Sequence, residues 1–148
     1  MFHGPRTPED TRDYLNRMIA SQSEAPRLIW ELGVVVTAAN RLVGACDLTC
    51  DGRGEGDLGF ILSKDVWGAG YATEAARTMV RAGFEQLGLT RIAATCDVSN
   101  SASARVLEKA GLRRTATLER HKHALGKWWT SFFYEIELER WLEAQITQ

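Results

Sequence analysis

Small and apolar side chains fall at 72, 75, 76, 79, 80, 83, 84 and 87, with Glu74, Arg77, Arg81 and Glu85 outside the stripe. A continuous i, i+3, i+4, i+7 face predicts an amphipathic helix lying on a core, closed by Gly88. On either side the pattern changes to that of strands. DLGFIL (57–62) and RIAATCD (91–97) are short apolar runs, and the first is continuous enough to predict burial on both faces. A strand, a crossover helix and a strand within about 40 residues form a βαβ unit, so the strands at 57 and 91 are expected to lie parallel.

Upstream, Thr7 followed by Pro8, Glu9 and Asp10 predicts a helix start, and Tyr14, Leu15, Met18 and Ile19 carry the helical spacing to about Gln22. LIWELGVVVT (28–37) and RLVGACDLTC (41–50), joined by Ala-Ala-Asn, predict a β-hairpin, and DGRGEG (51–56) a polar glycine loop. Downstream, SNSASARVLEKAGL (99–112) predicts a short helix with Gly111 at C′ and Leu112 folding back on Leu107. The remainder to Leu142 reads as two long antiparallel strands around a turn at Leu125, Gly126 and Lys127. No repeat or low-complexity linker interrupts the chain, so a single domain over residues 1–148 is expected.

Composition narrows the function. A net charge of -1 and a pI near 6.3 exclude the strongly basic face of a general nucleic-acid binder. MFHGPRTPEDTRDYL has no apolar leader core, and no run of apolar residues is long enough to span a membrane, so a soluble cytoplasmic protein is expected. Cys46, Cys50 and Cys96 are odd in number and form no C-x-x-C pair; free thiols in a reducing compartment fit better than a disulfide or a metal.

The chemistry centres on WGAGYATEAA (67–76). A strand end, a glycine-bearing turn and a helix start leave several backbone N–H groups free at one helix N-terminus, which favours an anion. The alternative is a tight turn that binds nothing. A P-loop would need Lys-Ser or Lys-Thr after the glycines, and a dinucleotide fingerprint would need Gly or Ala where Thr73 stands.

In combination with DLGFIL and RIAATCDVSNSASARVLEKAGL, this stretch closely resembles the GNAT superfamily of acyl-CoA-dependent N-acyltransferases. W-G-x-G-Y-A-T-E-A paired with N-x-x-S-x-R-V-L-E-K-x-G is similar to its RimJ/RimL branch. The likeness runs from about residue 28 to 142, and residues 57–112 carry nearly all of it. It implies an α+β fold, an α/β/α sandwich with a mixed, mostly antiparallel sheet, a central parallel βαβ pair and flanking helices. It also implies acetyl-CoA as cosubstrate and, as acceptor, a protein N-terminal amine or a small-molecule amine.

The resemblance assigns the CoA pyrophosphate to the backbone of Gly68, Ala69, Gly70, Tyr71, Ala72 and Thr73, and the pantetheine arm to Phe60, Ile61 and Leu62. Asn100 and Ser103 match positions on the far side of the arm, and Arg105 is a candidate phosphate contact. Asp65 replaces the usual Gln or Arg, and an acid beside phosphate is unhelpful, so it is left out of the site. Acetyl transfer requires the ammonium to lose a proton, a donor for the oxyanion and a proton for the thiolate. Asp57, aligned with an acid common in this branch, is the first candidate base, with Glu55 second; Asp57 could equally end the glycine loop. Leu107 occupies the place of the family's tyrosine donor, which leaves Ser103 as candidate acid or as a capping hydroxyl.

Arg120, His121, Lys122 and His123 crowd one strand; His121 and His123 share a face of it, but no third metal ligand accompanies them, the aromatics of 128–134 are mostly core, and a minority of either set could line the amine pocket. The chain also lacks room for the strand and helix with which family members begin. Either the natural start lies upstream or a partner chain, for instance in a homodimer, covers the open sheet edge. The competing functional reading is a non-catalytic acyl-CoA-binding or interaction module of the same fold. A Rossmann oxidoreductase fits worst.

Overall fold

In a computed structural model that describes residues 6–147, six strands form one sheet flanked by four helices. The strands are β1 (Ile29–Val36), β2 (Arg41–Cys50), β3 (Glu55–Leu62), β4 (Arg91–Asp97), β5 (Arg113–Ala124) and β6 (Lys127–Glu137). The helices are α1 (Pro8–Ser21), α2 (Tyr71–Glu85), α3 (Ser101–Lys109) and α4 (Leu138–Ile146). Residues 1–5, the front of the segment read above as lacking a leader, and residue 148 lie outside the described residues. The sheet order is β1-β2-β3-β4-β6-β5, antiparallel throughout except for the parallel β3–β4 pair. This is the mixed sheet with a central βαβ unit that the sequence predicts. Among the described residues no helix is long and apolar enough to cross a membrane.

One core joins α2, α3 and α4 to the sheet. Ala76, Met79, Val80 and Phe84 of the α2 stripe meet Leu48, Leu58, Ile92 and Ala94, and Leu107 and Ala110 of α3 close its end. At the α3 terminus the Leu112 N–H donates to the Leu107 carbonyl at 3.0 Å and the Gly111 N–H to the Glu108 carbonyl at 3.0 Å, while Gly111 takes φ 98°. That is a Schellman ending, in which the left-handed residue must be glycine or nearly so. At α1, Thr7 Oγ accepts from the Asp10 N–H and the Asp10 carboxylate accepts from the Thr7 N–H, each at 3.0 Å.

Two expectations are corrected. The segment after Glu137 is the helix α4 rather than strand. Leu138 and Trp141 stand three apart and both pack against the core, with the Trp141 ring 5.4 Å from that of Phe84; in a strand they would point to opposite faces. β3 is not buried on both faces: Leu58 is buried, whereas Asp57 and Ile61 are exposed. α2 covers one face of this strand, and the other is left to the cleft described below. The apolar stripe of α1 is largely uncovered, with Leu15 at 52% and Ile19 at 62% exposure, while Tyr14 and Met18 are half-buried. The Tyr14 hydroxyl donates to the Glu31 carboxylate.

Candidate active site

β3 and β4 pair at Glu55–Arg91, Gly56–Ile92 and Asp57–Ala93, and nowhere beyond. Each continues to pair on its outer side, β3 with β2 as far as Leu62 and β4 with β6 as far as Asp97. The sheet therefore splits between two firmly held strands. In the opening lies a cavity of about 100 Å³ lined by Asp57, Phe60, Cys96, Asn100, Ser103 and Lys122 among others. Four candidates separated by up to 46 positions in sequence, Asp57, Phe60, Asn100 and Ser103, thus meet around one space.

Asn100 caps α3: its Oδ1 accepts the Ser103 N–H at 3.0 Å. Capping is thus supplied by Asn100, and the Ser103 hydroxyl makes no hydrogen bond among the described residues, so it remains available to a ligand. Asp57 lies on the open side of the sheet. Surrounding protein strips part of its hydration and raises its pKa above the usual carboxylate value, while the cations of Lys122 and then His121 pull it back.

On the same face the sequence reading missed two further acids. Glu31 and Asp47 are cross-strand partners, and Asp47 pairs with Gly59, where a Cβ would stand 2.5 Å from Asp47 Oδ1; the Asp47 carboxylate thus lies over the strand that carries Asp57. Burial first, then Glu31 and Asp57, push the Asp47 pKa up to about 6. Lys122, one of the polar set at 120–123 of which a minority could line the amine pocket, is the member that lines the opening. The β5–β6 register slips between Leu118 and Lys122, with Arg120 at φ 48°, and the first paired residue beyond the slip is the one that lines the opening. Strand periodicity carries no trace of such a slip.

At the head of α2 the N-cap is Gly70, with no side-chain cap, and the first intrahelical bond runs from the Glu74 N–H to the Gly70 carbonyl at 3.0 Å. The N–H groups of Tyr71, Ala72 and Thr73 are therefore left without intrahelical acceptors. Gly68 and Gly70 take φ 80° and 87°, and a Cβ at either would meet no protein atom within 4 Å. Both positions need glycine for their backbone angle, and the space above them is open to a phosphate. This satisfies the steric and hydrogen-bonding demands of a CoA pyrophosphate. The Trp67 indole N–H anchors the turn by donating to the Leu62 carbonyl at 2.8 Å, and the Asp65 carboxylate is taken up by Arg41.

From Gly70 and Thr73 a groove of about 1080 Å³ runs between α2 and α4, lined by Arg77, Arg81, Lys109 and Arg140 among others. Helix α4, and with it Arg140, was lost to the sequence reading. Arg105, in contrast, is exposed on α3 and lines neither the opening nor this groove. Ile61 and Leu62 lie on β3 next to the opening without lining it. Among the described residues no group of three or more His, Cys, Asp or Glu is placed to hold a metal ion.

The site thus combines a sheet split at its parallel pair with an uncapped helix N-terminus on the same crossover. A family model described as "Acetyltransferase (GNAT) domain" matches residues 1–113. The chain belongs to the GNAT acetyltransferase family. The uncharacterized N-acetyltransferase YnaD of Bacillus subtilis is 34% identical over 85 residues, 57% of this chain and 50% of its own. The FsC-acetyl coenzyme A-N(2)-transacetylase of Aspergillus fumigatus is 38% identical over 88 residues, 60% of this chain and 34% of its own. The chain thus spans about half the length, or less, of the curated relatives it matches. Among solved structures, a GNAT-family acetyltransferase from Bacillus anthracis is 31% identical, with a TM-score of 0.80 over 92% of this chain and 78% of that one. The Vibrio cholerae spermidine N-acetyltransferase in complex with CoA and spermine shares the fold, at 16% identity and a TM-score of 0.80 over 95% of this chain and 81% of that one.

Proposed function

We propose that the chain is an acetyl-CoA-dependent N-acetyltransferase that moves an acetyl group from the thioester to a primary amine by direct attack in a ternary complex. The observation that carries this reading is the split at Asp57 and Ala93, which gathers a carboxylate, a free hydroxyl and the unpaired stretch of β3 around one cavity. In this mechanism Asp57 takes the proton from the incoming ammonium, directly or through water. The unpaired backbone of β3 polarises the acetyl carbonyl, and Ser103 supplies the proton to the departing thiolate. Gly68 to Thr73 hold the pyrophosphate on backbone N–H groups, and the cation-lined groove continues from them.

An amine acceptor is supported by Glu31, Asp47 and Asp57, which give the open face of β1 to β3 a negative field that draws in cations. The activities of two structural neighbours support the same class: spermidine acetylation in one, and ribosomal-protein S5-alanine acetylation in a Vibrio fischeri protein 20% identical, which also supports the RimJ/RimL-like branch. We place the reaction in the cytoplasm, where acetyl-CoA is at hand and the free Cys46, Cys50 and Cys96 would stay reduced. Retention of both a base and a free hydroxyl in the gap disfavours the non-catalytic alternative.

Thiol release from acetyl-CoA is the test, measured across peptides with free N-termini, polyamines and aminoglycosides. Turnover with any of these amines supports the reading, and the preferred amine names the acceptor class. Binding of acetyl-CoA without turnover on any amine would leave the non-catalytic module.

A further inference from the structure

Of the four lysines in the chain, three stand on open surface. Lys64 is exposed in the turn before α2, Lys109 is exposed on the last turn of α3, and Lys127 lies over the Trp129 ring at the β5–β6 tip. Lys122 alone is half-buried and lines the opening between β3 and β4, together with Asp57, Asn100 and Ser103. No carboxylate comes within 4.0 Å of its ammonium among the described residues, so no ion pair holds it away from the gap. It is the largest cationic influence on Asp57, ahead of His121. The cavity thus already contains, from the protein itself, a primary amine and a carboxylate able to take its proton.

We propose that Lys122 is a self-acetylation site, modified by the acetyl group that acetyl-CoA brings into the gap when no acceptor amine fills it. The inference rests on the acetyl-CoA reading above. The Lys122 ammonium gives one proton, through a bridging water, to the Asp57 carboxylate, and the freed Nζ attacks the acetyl carbonyl. The C–N bond forms as the C–S bond breaks, CoA leaves as the thiolate, and the second amine proton passes to it. The products are Nε-acetyllysine at 122 and CoA thiol, with one proton released to water when Asp57 ionises again. No other reactant is needed. The modification removes the cation from the cleft and fills part of a cavity of about 100 Å³. An acetylated chain is therefore expected to turn over acceptor amines more slowly.

The experiment incubates the whole protein with acetyl-CoA and no acceptor, follows acetyl incorporation by intact mass, and maps the sites by peptide mass spectrometry. Lys64 and Lys127, away from both the opening and the groove, serve as internal controls for non-enzymatic acetylation. Lys122 is expected to fill first, with Asp57→Asn slowing it by about a hundredfold while leaving the control lysines unchanged. Lys122→Arg, which keeps the charge, should abolish the dominant modification. Acetylation of Lys122 no faster than the controls, or at the same rate in Asp57→Asn, overturns the proposal. Thermal stabilisation by acetyl-CoA is read on the same samples. Stabilisation without Lys122 acetylation overturns self-acetylation and leaves the enzyme reading standing, whereas absence of both overturns the two together.

Discussion

Asp57 and Ala93 are the last residues at which β3 and β4 face each other, and the strands diverge immediately after them. The candidate base therefore stands at the apex of the split, the last position at which β3 is paired on both edges. Asp57→Asn keeps the shape and removes the base. It is expected to lower kcat by about a hundredfold or more while leaving acetyl-CoA affinity close to that of the parent. Equal kcat in the two proteins would remove Asp57 from the mechanism.

The pH profile follows from the surroundings of Asp57. Burial raises its pKa, and the base works only when ionised, so kcat/KM should fall on the acid side at a pH above that of an ordinary aspartate. Lys122 opposes the rise. Lys122→Met should move the acid limb further up, because a cation that favoured the ionised form has gone. A limb that stays in place or moves down in Lys122→Met contradicts the assignment.

A second carboxylate links the same face to stability. Asp47 has a folded pKa of about 6, above the ordinary aspartate value, so the folded state binds the proton more tightly than the unfolded chain. Its contribution to stability is then fully present below the unfolded pKa and is lost as pH rises through about 6. Asp47→Asn should raise stability at pH 7 by about 1 to 3 kcal/mol and leave it nearly unchanged at pH 4. Denaturant midpoints at the two pH values check this, and a gain that is equal at both would point to packing instead of ionisation.

Features written in local sequence were legible. The α2 stripe, the cap at Thr7 and the Schellman ending at Gly111 and Leu112 all follow from residues within one or two turns of each other, and each formed where expected. The pantetheine contact on β3 was reached only by resemblance, since nothing in DLGFIL says which of its residues lose their parallel partner. Contacts fixed by strand register were not legible: Glu31 beside Asp47, Asp47 over Gly59, and Lys122 beyond the slip at 118–122. Trp141 failed for another reason. Leu138, Trp141 and Leu142 keep the i, i+3, i+4 spacing of a helix, but so short a segment directly after β6 reads as its continuation until Trp141 is placed beside Phe84.

The glycine turn separates backbone strain from ligand contact. At Gly70, φ 87° disfavours any other residue, yet a Cβ there would touch no protein atom within 4 Å. Gly70→Ala should therefore cost only about 1 to 2 kcal/mol of stability, the penalty of a left-handed alanine. Its effect on acetyl-CoA is expected to be larger, a KM raised at least tenfold, because the proposed pyrophosphate site uses that open space against the backbone. Ala69→Ser is the control. A KM for acetyl-CoA that is unchanged in Gly70→Ala would mean that the turn binds no phosphate.

Asn100 and Ser103 divide two jobs that a single deletion can tell apart. Asn100 Oδ1 holds the Ser103 N–H at 3.0 Å, so Asn100→Ala removes the α3 cap and should cost about 1 kcal/mol, with acetyl-CoA affinity reduced as the helix end loosens. Ser103→Ala leaves that cap in place, because the bond uses the backbone N–H and not the hydroxyl. Its melting temperature should match the parent, while kcat falls on the order of a hundredfold if the thiolate must now find its proton in water. Substituting acyl donors whose thiol leaves more readily should narrow that gap. A Ser103→Ala enzyme with full kcat on acetyl-CoA would show that the hydroxyl takes no part, and the proton donor would have to be sought among the other residues around the cavity.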